Sequence, residues 1–184
     1  AEGWYTLEVD GKKSRPFRIG RDAYIPAAWK TLNFFFSERC GFDVPGIHTE
    51  CHMDVMSVHP DGRRLPVRGG WHDAGDLTQA AINTAESVFA MLELAIAERE
   101  AQPELSQRAK EEARWGLNWL MRTRWGDGYR HNGTVIGFWS DNIQGTLDDI
   151  NADSGNRPFD NFMIAGVCAK AIALFRDDDP RFAD

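Results

Sequence analysis

Cysteine is scarce: with only Cys40, Cys51 and Cys168 in 184 residues, at most one internal bridge can form and a disulfide framework is excluded. That count leaves the redox compartment open. No Lys/Arg stripe offsets the 28 acidic residues, and a formal net charge of -7 argues against a nucleic-acid partner. No apolar run approaches the roughly 18 to 20 residues of a membrane span. Nor does Ala1-Glu2-Gly3-Trp4 carry a basic-then-apolar signal pattern. The expectation is a soluble chain with no membrane span, whose export signal is removed or lies outside it. No short internal repeat is visible. What the sequence has in quantity is aromatic: seven Trp and eleven Phe suit either a dense core or flat stacking surfaces for a ligand.

Residues 4–19 alternate polar and apolar around the turn signal Asp10-Gly11, which predicts one or two short strands, too little sheet to stand alone. Residues 1–20 read as a connecting ribbon from an upstream module. From Ala23 to Glu38 the residues Ile25, Ala28, Trp29, Leu32, Phe35 and Phe36 recur at helical steps, and Cys40-Gly41 stops the pattern. Residues 41–71, rich in Pro, Gly and His, read as a long irregular loop, and loops of that length are usually functional or pinned. Thr78 to Arg99 is the strongest helical pattern, with Ala81, Ala85, Val88, Phe89, Leu92 and Ile96 on one face. A second helix is expected from Glu104 to Arg122, with Trp115 and Trp119 on its buried face, then a second long loop over 124–156. A last helix, Phe159 to Phe175, carries the small residues Ala165, Gly166, Ala169 and Ala173, which imply close approach by another helix. Asp179-Pro180 opens a further one. Four helices and two long loops predict an all-α fold, present as a segment of something larger.

The stretch that organises the chain is Gly69-Gly70-Trp71-His72-Asp73-Ala74-Gly75-Asp76, two carboxylates three residues apart on a Gly-rich turn before a helix. One reading makes Asp76 an N-cap with Gln79 as its capping-box partner. The other makes both carboxylates holders of one water, with Asp76 kept ionised at the positive end of a helix dipole and serving as general base. On the preceding loop, Cys40, Cys51, His52 and His72 are two thiols and two imidazoles, the donor set of a structural zinc, although their spacing is not that of a common finger. A Cys40–Cys51 disulfide flanked by two surface histidines is the alternative. His48 and His59 are spare histidines in the same loop.

GGWHDAGD at 69–76 resembles the signature of family 9 glycoside hydrolases, inverting β-glucanases built on an (α/α)6 toroid. Arg39-Cys40-Gly41, Cys51-His52 and the run from Cys168-Ala169-Lys170-Ala171 to Asp178-Asp179-Pro180-Arg181-Phe182-Ala183 resemble the same family in the same order. The similarity covers residues 21–184, which would be roughly the first third to half of a catalytic domain. It implies that Asp76 is the catalytic base and that Asp73 positions the water. The family's general acid, a Glu near the end of the domain, has no counterpart here, so this polypeptide is expected to be inactive on its own. A subset of the family has a Cys/Cys-His/His zinc site in this region. The resemblance thereby favours a structural zinc on Cys40, Cys51, His52 and His72 over the disulfide.

Trp71, Trp125, Tyr129, Phe138 and Trp139 lie in loops, where rings can stack on pyranose faces, while Arg68 and His131 could hydrogen-bond sugar hydroxyls. Asp148, Asp149 and Asp153 with Asn151 have the oxygen-rich look of a calcium loop but fail the helix-loop-helix spacing. The leading expectation is an enzyme on a β-linked glucan, cellulose, xyloglucan or mixed-linkage, as polysaccharide or oligosaccharide. Its partners would be the remainder of the catalytic domain and an upstream β-sandwich module. It would be secreted, periplasmic or at the cell surface, as the substrate class implies. The competing expectation is a non-catalytic carbohydrate-binding or zinc-stapled interaction domain. A third reading, a helical protein in which Asp76 is only a cap, explains neither the twin glycines nor the Cys/His pattern.

Overall fold

The computed structural model describes residues 1–73, 75–177, 179 and 181. The helix expected to open at Asp179-Pro180 falls largely outside the described residues. Two compact units divide the chain, Ala1–Phe34 and Phe35–Asp184.

In the first unit β1 (Gly3–Tyr5) pairs antiparallel with β4 (Phe17–Ile19), and between them β2 (Glu8–Val9) pairs with β3 (Lys12–Lys13). The inner hairpin turns at Asp10 (φ 50°) and Gly11 (φ 72°), the two left-handed residues that a tight hairpin matching strand twist requires. The expected alternation is therefore four short strands. Helix α1 (Ile25–Ser37) follows and runs across the boundary between the units.

The second unit starts from a helical pair. α2 (Ala81–Ala97) and α3 (Pro103–Arg122) are built from the predicted periodicities, with Pro103 opening α3 where its missing N–H costs nothing. Their facing stripes are fully buried: Ala81, Ala85, Val88, Leu92 and Ala95 on α2 against Leu105, Ala109, Ala113, Leu117 and Leu120 on α3. Phe89 and Ile96, expected on the buried stripe of α2, stay exposed. α4 (Pro158–Phe175) packs along α2 through Ile164, Val167, Ala171 and Leu174, with Lys170 paired to Glu93. Its small face was expected to meet a neighbour, yet Phe162, Ala165, Gly166, Ala169 and Ala173 are all exposed. Length and mean hydropathy make α4 the one described helix that could cross a bilayer, although 33% of it is buried in the protein.

The all-α expectation is corrected by the two long loops. Segment 41–71 holds β5 (Val55–Val58) and β6 (Arg64–Pro66), and segment 124–156 holds β8 (Arg130–His131), β9 (Gly133–Thr134) and β10 (Ile150–Gly155), while β7 (Gln79–Ala80) precedes α2. The loops zip together into one four-stranded sheet ordered β6-β5-β10-β8. At its centre β5 and β10 run parallel, Val55 opposite Ile150 and Val58 opposite Asp153. A parallel pairing across so long a connection leaves no local signature, because each strand is short and its partner distant. Under the sheet Val55, Val67, Leu77 and Ile136 form a small apolar cluster with Ile150 packed against it.

Candidate functional site

The octapeptide is gripped from below by α3. Trp119 Nε1 donates to the Val67 carbonyl at 2.8 Å and Trp115 Nε1 to the Gly70 carbonyl at 2.7 Å. Gly70 has φ 69°, and a Cβ there would lie 2.9 Å from the Trp119 ring, while one on Gly69 (φ 98°) would strike the Arg122 guanidinium. Both glycines are thus required twice, by a left-handed backbone and by close approach. Trp71, expected as a sugar platform, is instead core. It is 4% exposed, its N–H donates to Glu112 at 2.8 Å and Phe35 meets its ring edge-on at 5.1 Å. Glu112, which the sequence reading did not single out, is fully buried and held by Arg39 (3.0 and 2.9 Å) and Arg108 (2.7 Å). Its only advance signal was the Arg108/Glu112 spacing of four on one helix.

Beyond Trp71 the chain turns outward. The Asp73 N–H donates to the Thr78 carbonyl at 2.9 Å and closes the turn, and Asn83 Nδ2 donates to the Asp73 carboxylate at 3.3 Å. Leu77 takes a left-handed φ of 54° and drives its side chain into the apolar cluster, a strained residue that anchors the loop. Asp73 and Asp76 themselves are exposed. The capping expectation fails here. α2 begins at Ala81 with Ala80 as N-cap and no side-chain cap, and Asp76 accepts instead from the Thr78 N–H at 3.3 Å. Gln79 pairs with Thr134 in the β7–β9 ladder and donates its side-chain amide to the Gly69 carbonyl at 2.7 Å. A helix-dipole argument for Asp76 therefore does not apply, because the β-pairing postpones the helix.

Cys40, Cys51, His52 and His72 converge. All four are buried, and one donor atom from each lies within 4.8 Å of the others. All three cysteines are free thiols. Zinc bonds of about 2.3 Å to sulfur and about 2.0 Å to nitrogen imply tetrahedral edges of about 3.6 Å for S to N and about 3.3 Å for N to N. The structure places Cys40 Sγ 3.5 Å from His52 Nδ1, Cys51 Sγ 3.6 Å from His72 Nε2, and the two nitrogens 3.1 Å apart. The donor set and its spacing fit zinc. Outer contacts agree: His52 Nε2 sits 3.3 Å from the Phe138 carbonyl, leaving Nδ1 to ligate, and His72 Nδ1 faces Glu38 at 4.0 Å. The Cys51 thiol is drawn far below its ordinary range, first by the Cys40 thiol's hydrogen bond and then by His52 and His72. His52 has φ 55°, a second strained residue at the site. His48 binds backbone carbonyls and His59 lies between Asp61 and Asp127, so neither joins the group.

Trp139, 53% exposed, stacks on His52 at 5.5 Å and 17° and on His48 at 5.5 Å, roofing the Cys/His group while staying open to solvent. Arg68 is exposed, and half-buried Trp125 packs against His59 and under Arg63. His131 is no sugar ligand: it is fully buried, bonded to Thr134 at 2.9 Å, and burial beside Arg130 lowers its pKa to about 4. The calcium expectation also shifts. Asn151 accepts from Arg64, Asp149 accepts the Gly145 N–H at 2.7 Å, and Asp153 pairs in β10, while the carboxylates that gather among the described residues are Asp54, Asp141 and Asp148.

The family model described as Glycosyl hydrolase family 9 matches residues 24–184. An "Endoglucanase C" of Cellulomonas fimi is 27% identical over 97% of this chain and 20% of its own length. A metagenome-derived glycoside hydrolase family 9 endoglucanase superposes with a TM-score of 0.71 at 28% identity, over 100% of this chain and 37% of that one. A structure titled as a Zn-binding triple mutant of the family 9 endoglucanase J30 gives 0.65 at 27% identity, over 100% and 39%. The chain thus spans about a fifth of this curated relative and under two fifths of these solved structures.

Proposed function

Because the chain belongs to glycosyl hydrolase family 9, we propose that residues 21–184 are the N-terminal portion of an (α/α)6 catalytic domain that hydrolyses a β-linked glucan, polysaccharide or oligosaccharide, with inversion. Residues 1–20 are then the linker from an upstream β-sandwich module. The uncovered small-residue face of α4 is the surface on which the remainder of the domain packs. Secretion, or a periplasmic or cell-surface location, follows from a polymeric substrate.

The observation that supports this reading is the pair of exposed carboxylates, Asp73 and Asp76, on a backbone tied by the Asp73 N–H to the Thr78 carbonyl and anchored by Leu77. Asp76 takes a proton from a water that Asp73 also holds. The water oxygen attacks the anomeric carbon from the face opposite the leaving group. A carboxylic acid contributed by the remainder of the domain protonates the departing glycosidic oxygen. Inverting chemistry needs about 6.5–9.5 Å between the two carboxyl groups so that the water fits, and the remainder of the domain would set that separation. Arg68, Trp125 and Trp139 remain the sugar contacts in this scheme.

Cys40, Cys51, His52 and His72 would hold a zinc ion with four protein donors, so that the metal when bound would supply cross-linking rather than an open position for chemistry. Ligation through His72 would fix the backbone entering Asp73. The deciding experiment is Asp76→Ala in the full-length protein, with oligosaccharide hydrolysis and thermal unfolding measured together. Loss of activity with an unchanged midpoint supports Asp76 as the base. Retained activity overturns it.

A further inference from the structure

A second cluster lies beyond the Cys/His group and is not the set expected from sequence. Asp54, Asp141 and Asp148 each offer a carboxylate oxygen within 4.8 Å of the other two. Three like charges so close repel unless something positive lies among them. No salt bridge is formed by any of the three among the described residues.

Asp54 supplies the independent observation. It is fully buried, and while its Oδ2 accepts the Asn142 N–H at 3.1 Å, its Oδ1 has no hydrogen-bond partner among the described residues. A buried carboxylate oxygen left unsatisfied carries a desolvation cost that a native fold seldom tolerates without a ligand. Local geometry prepares the other two carboxylates. Asp148 Oδ2 accepts the Asp141 N–H at 2.7 Å and its Oδ1 accepts the Thr146 hydroxyl at 2.7 Å, while Asp141 Oδ1 accepts the Ile143 N–H at 2.8 Å. The loop is folded around its acidic groups before any ion arrives.

We propose that Asp54, Asp141 and Asp148 form a calcium-class divalent cation site. The donors are all oxygen, which suits a hard ion. Three carboxylates drawn from two separate segments suit the larger, less demanding coordination of calcium over the strict octahedron of magnesium. The site cross-links the segment that begins at His52 to the 141–148 loop, which follows directly on Trp139, the roof of the Cys/His group. Cation binding therefore sets how firmly that ring is held. Neither the zinc site nor the glycosidase reading is needed for this inference.

The test uses the full-length protein and its Asp141→Asn and Asp148→Asn forms. Asp141 is exposed and Asp148 half-buried, so both variants are expected to fold even if an Asp54→Asn chain does not. Equilibrium dialysis with radioactive calcium is expected to count one ion fewer per chain in each variant, with zinc content unchanged by mass spectrometry. Terbium emission excited through tryptophan should fall at least tenfold at equal terbium concentration, and calcium should quench it in the parent. An unchanged calcium stoichiometry and terbium signal in both variants overturns the proposal, whatever the enzyme assay shows.

Discussion

The Cys/His group and the Asp73/Asp76 turn lie next to each other in sequence and are built in opposite ways. Cys40, Cys51, His52 and His72 are each at most 3% exposed and their donor atoms all lie within 4.8 Å of one another. Asp73 and Asp76 are exposed, Asp73 accepting from the Asn83 side chain and Asp76 from the Thr78 N–H. This chain completes the first group and leaves the second open. The two share a rigid base, since the Glu38 carbonyl accepts the His72 N–H at 2.9 Å and the Gly70 carbonyl accepts the Cys40 N–H at 3.0 Å. A closed site resists change through stability, whereas an open one is changed without unfolding anything.

Substitutions that separate the two behaviours test the comparison most severely. Asp76→Ala in the full-length protein is expected to lower kcat/KM by about 10²–10⁴-fold, the range for a lost general base, with zinc content and Tm unaltered. Cys51→Ser should do the reverse in the first instance: zinc falls to background by mass spectrometry and stability drops by about 4 kcal/mol in denaturant titration. If Asp76→Ala lowers Tm as much as Cys51→Ser does, the turn is structural and the contrast is wrong.

Next in size is a pH effect that belongs to neither group. Burial holds His131 neutral with a pKa of about 4 against an ordinary 6.5. The unfolded chain binds the extra proton first as pH falls, so the contribution is whole above about pH 6.5 and is lost progressively toward pH 4, about 3 kcal/mol in total. Denaturant midpoints across that window measure it, and a His131→Gln chain should lack that part of the slope.

Gly70→Ala strikes the base that the two groups share. A Cβ at φ 69° and 2.9 Å from Trp119 should cost about 2 kcal/mol and lower activity while zinc is retained. Trp139→Ala is the mildest, about 1 kcal/mol, and is expected to raise KM for an oligosaccharide by about fivefold with little change in kcat. An unchanged KM would reduce Trp139 to the lid over His52.

The site was partly legible in advance because some of its logic is local. The carboxylates, the glycines and the four metal-type donors are conspicuous by residue type within short stretches. The burial of Trp71 and His131 was not legible, since an aromatic in a loop has no periodicity to say which way it faces. Trp71 is inside because Glu112, forty-one residues on, accepts its N–H, and His131 because Trp119 and Thr134 enclose it. The N-cap reading of Asp76 failed for the same reason, as Gln79 was claimed by Thr134 before the helix could start.

By itself the sequence determined the helices. α1 to α4 follow the spacing of Leu32, Val88, Leu117 and Ile164 with their neighbours, because a 3.6-residue period is a short-range property that neighbours enforce. Tertiary structure alone decided that segments 41–71 and 124–156 are a sheet and that the small face of α4 points away from α2. It also drew Asp54 to Asp141 and Asp148, and Cys40 to His72. Those contacts join residues tens of positions apart. Their closure entropy is offset only when the whole apolar cluster and its polar partners form together.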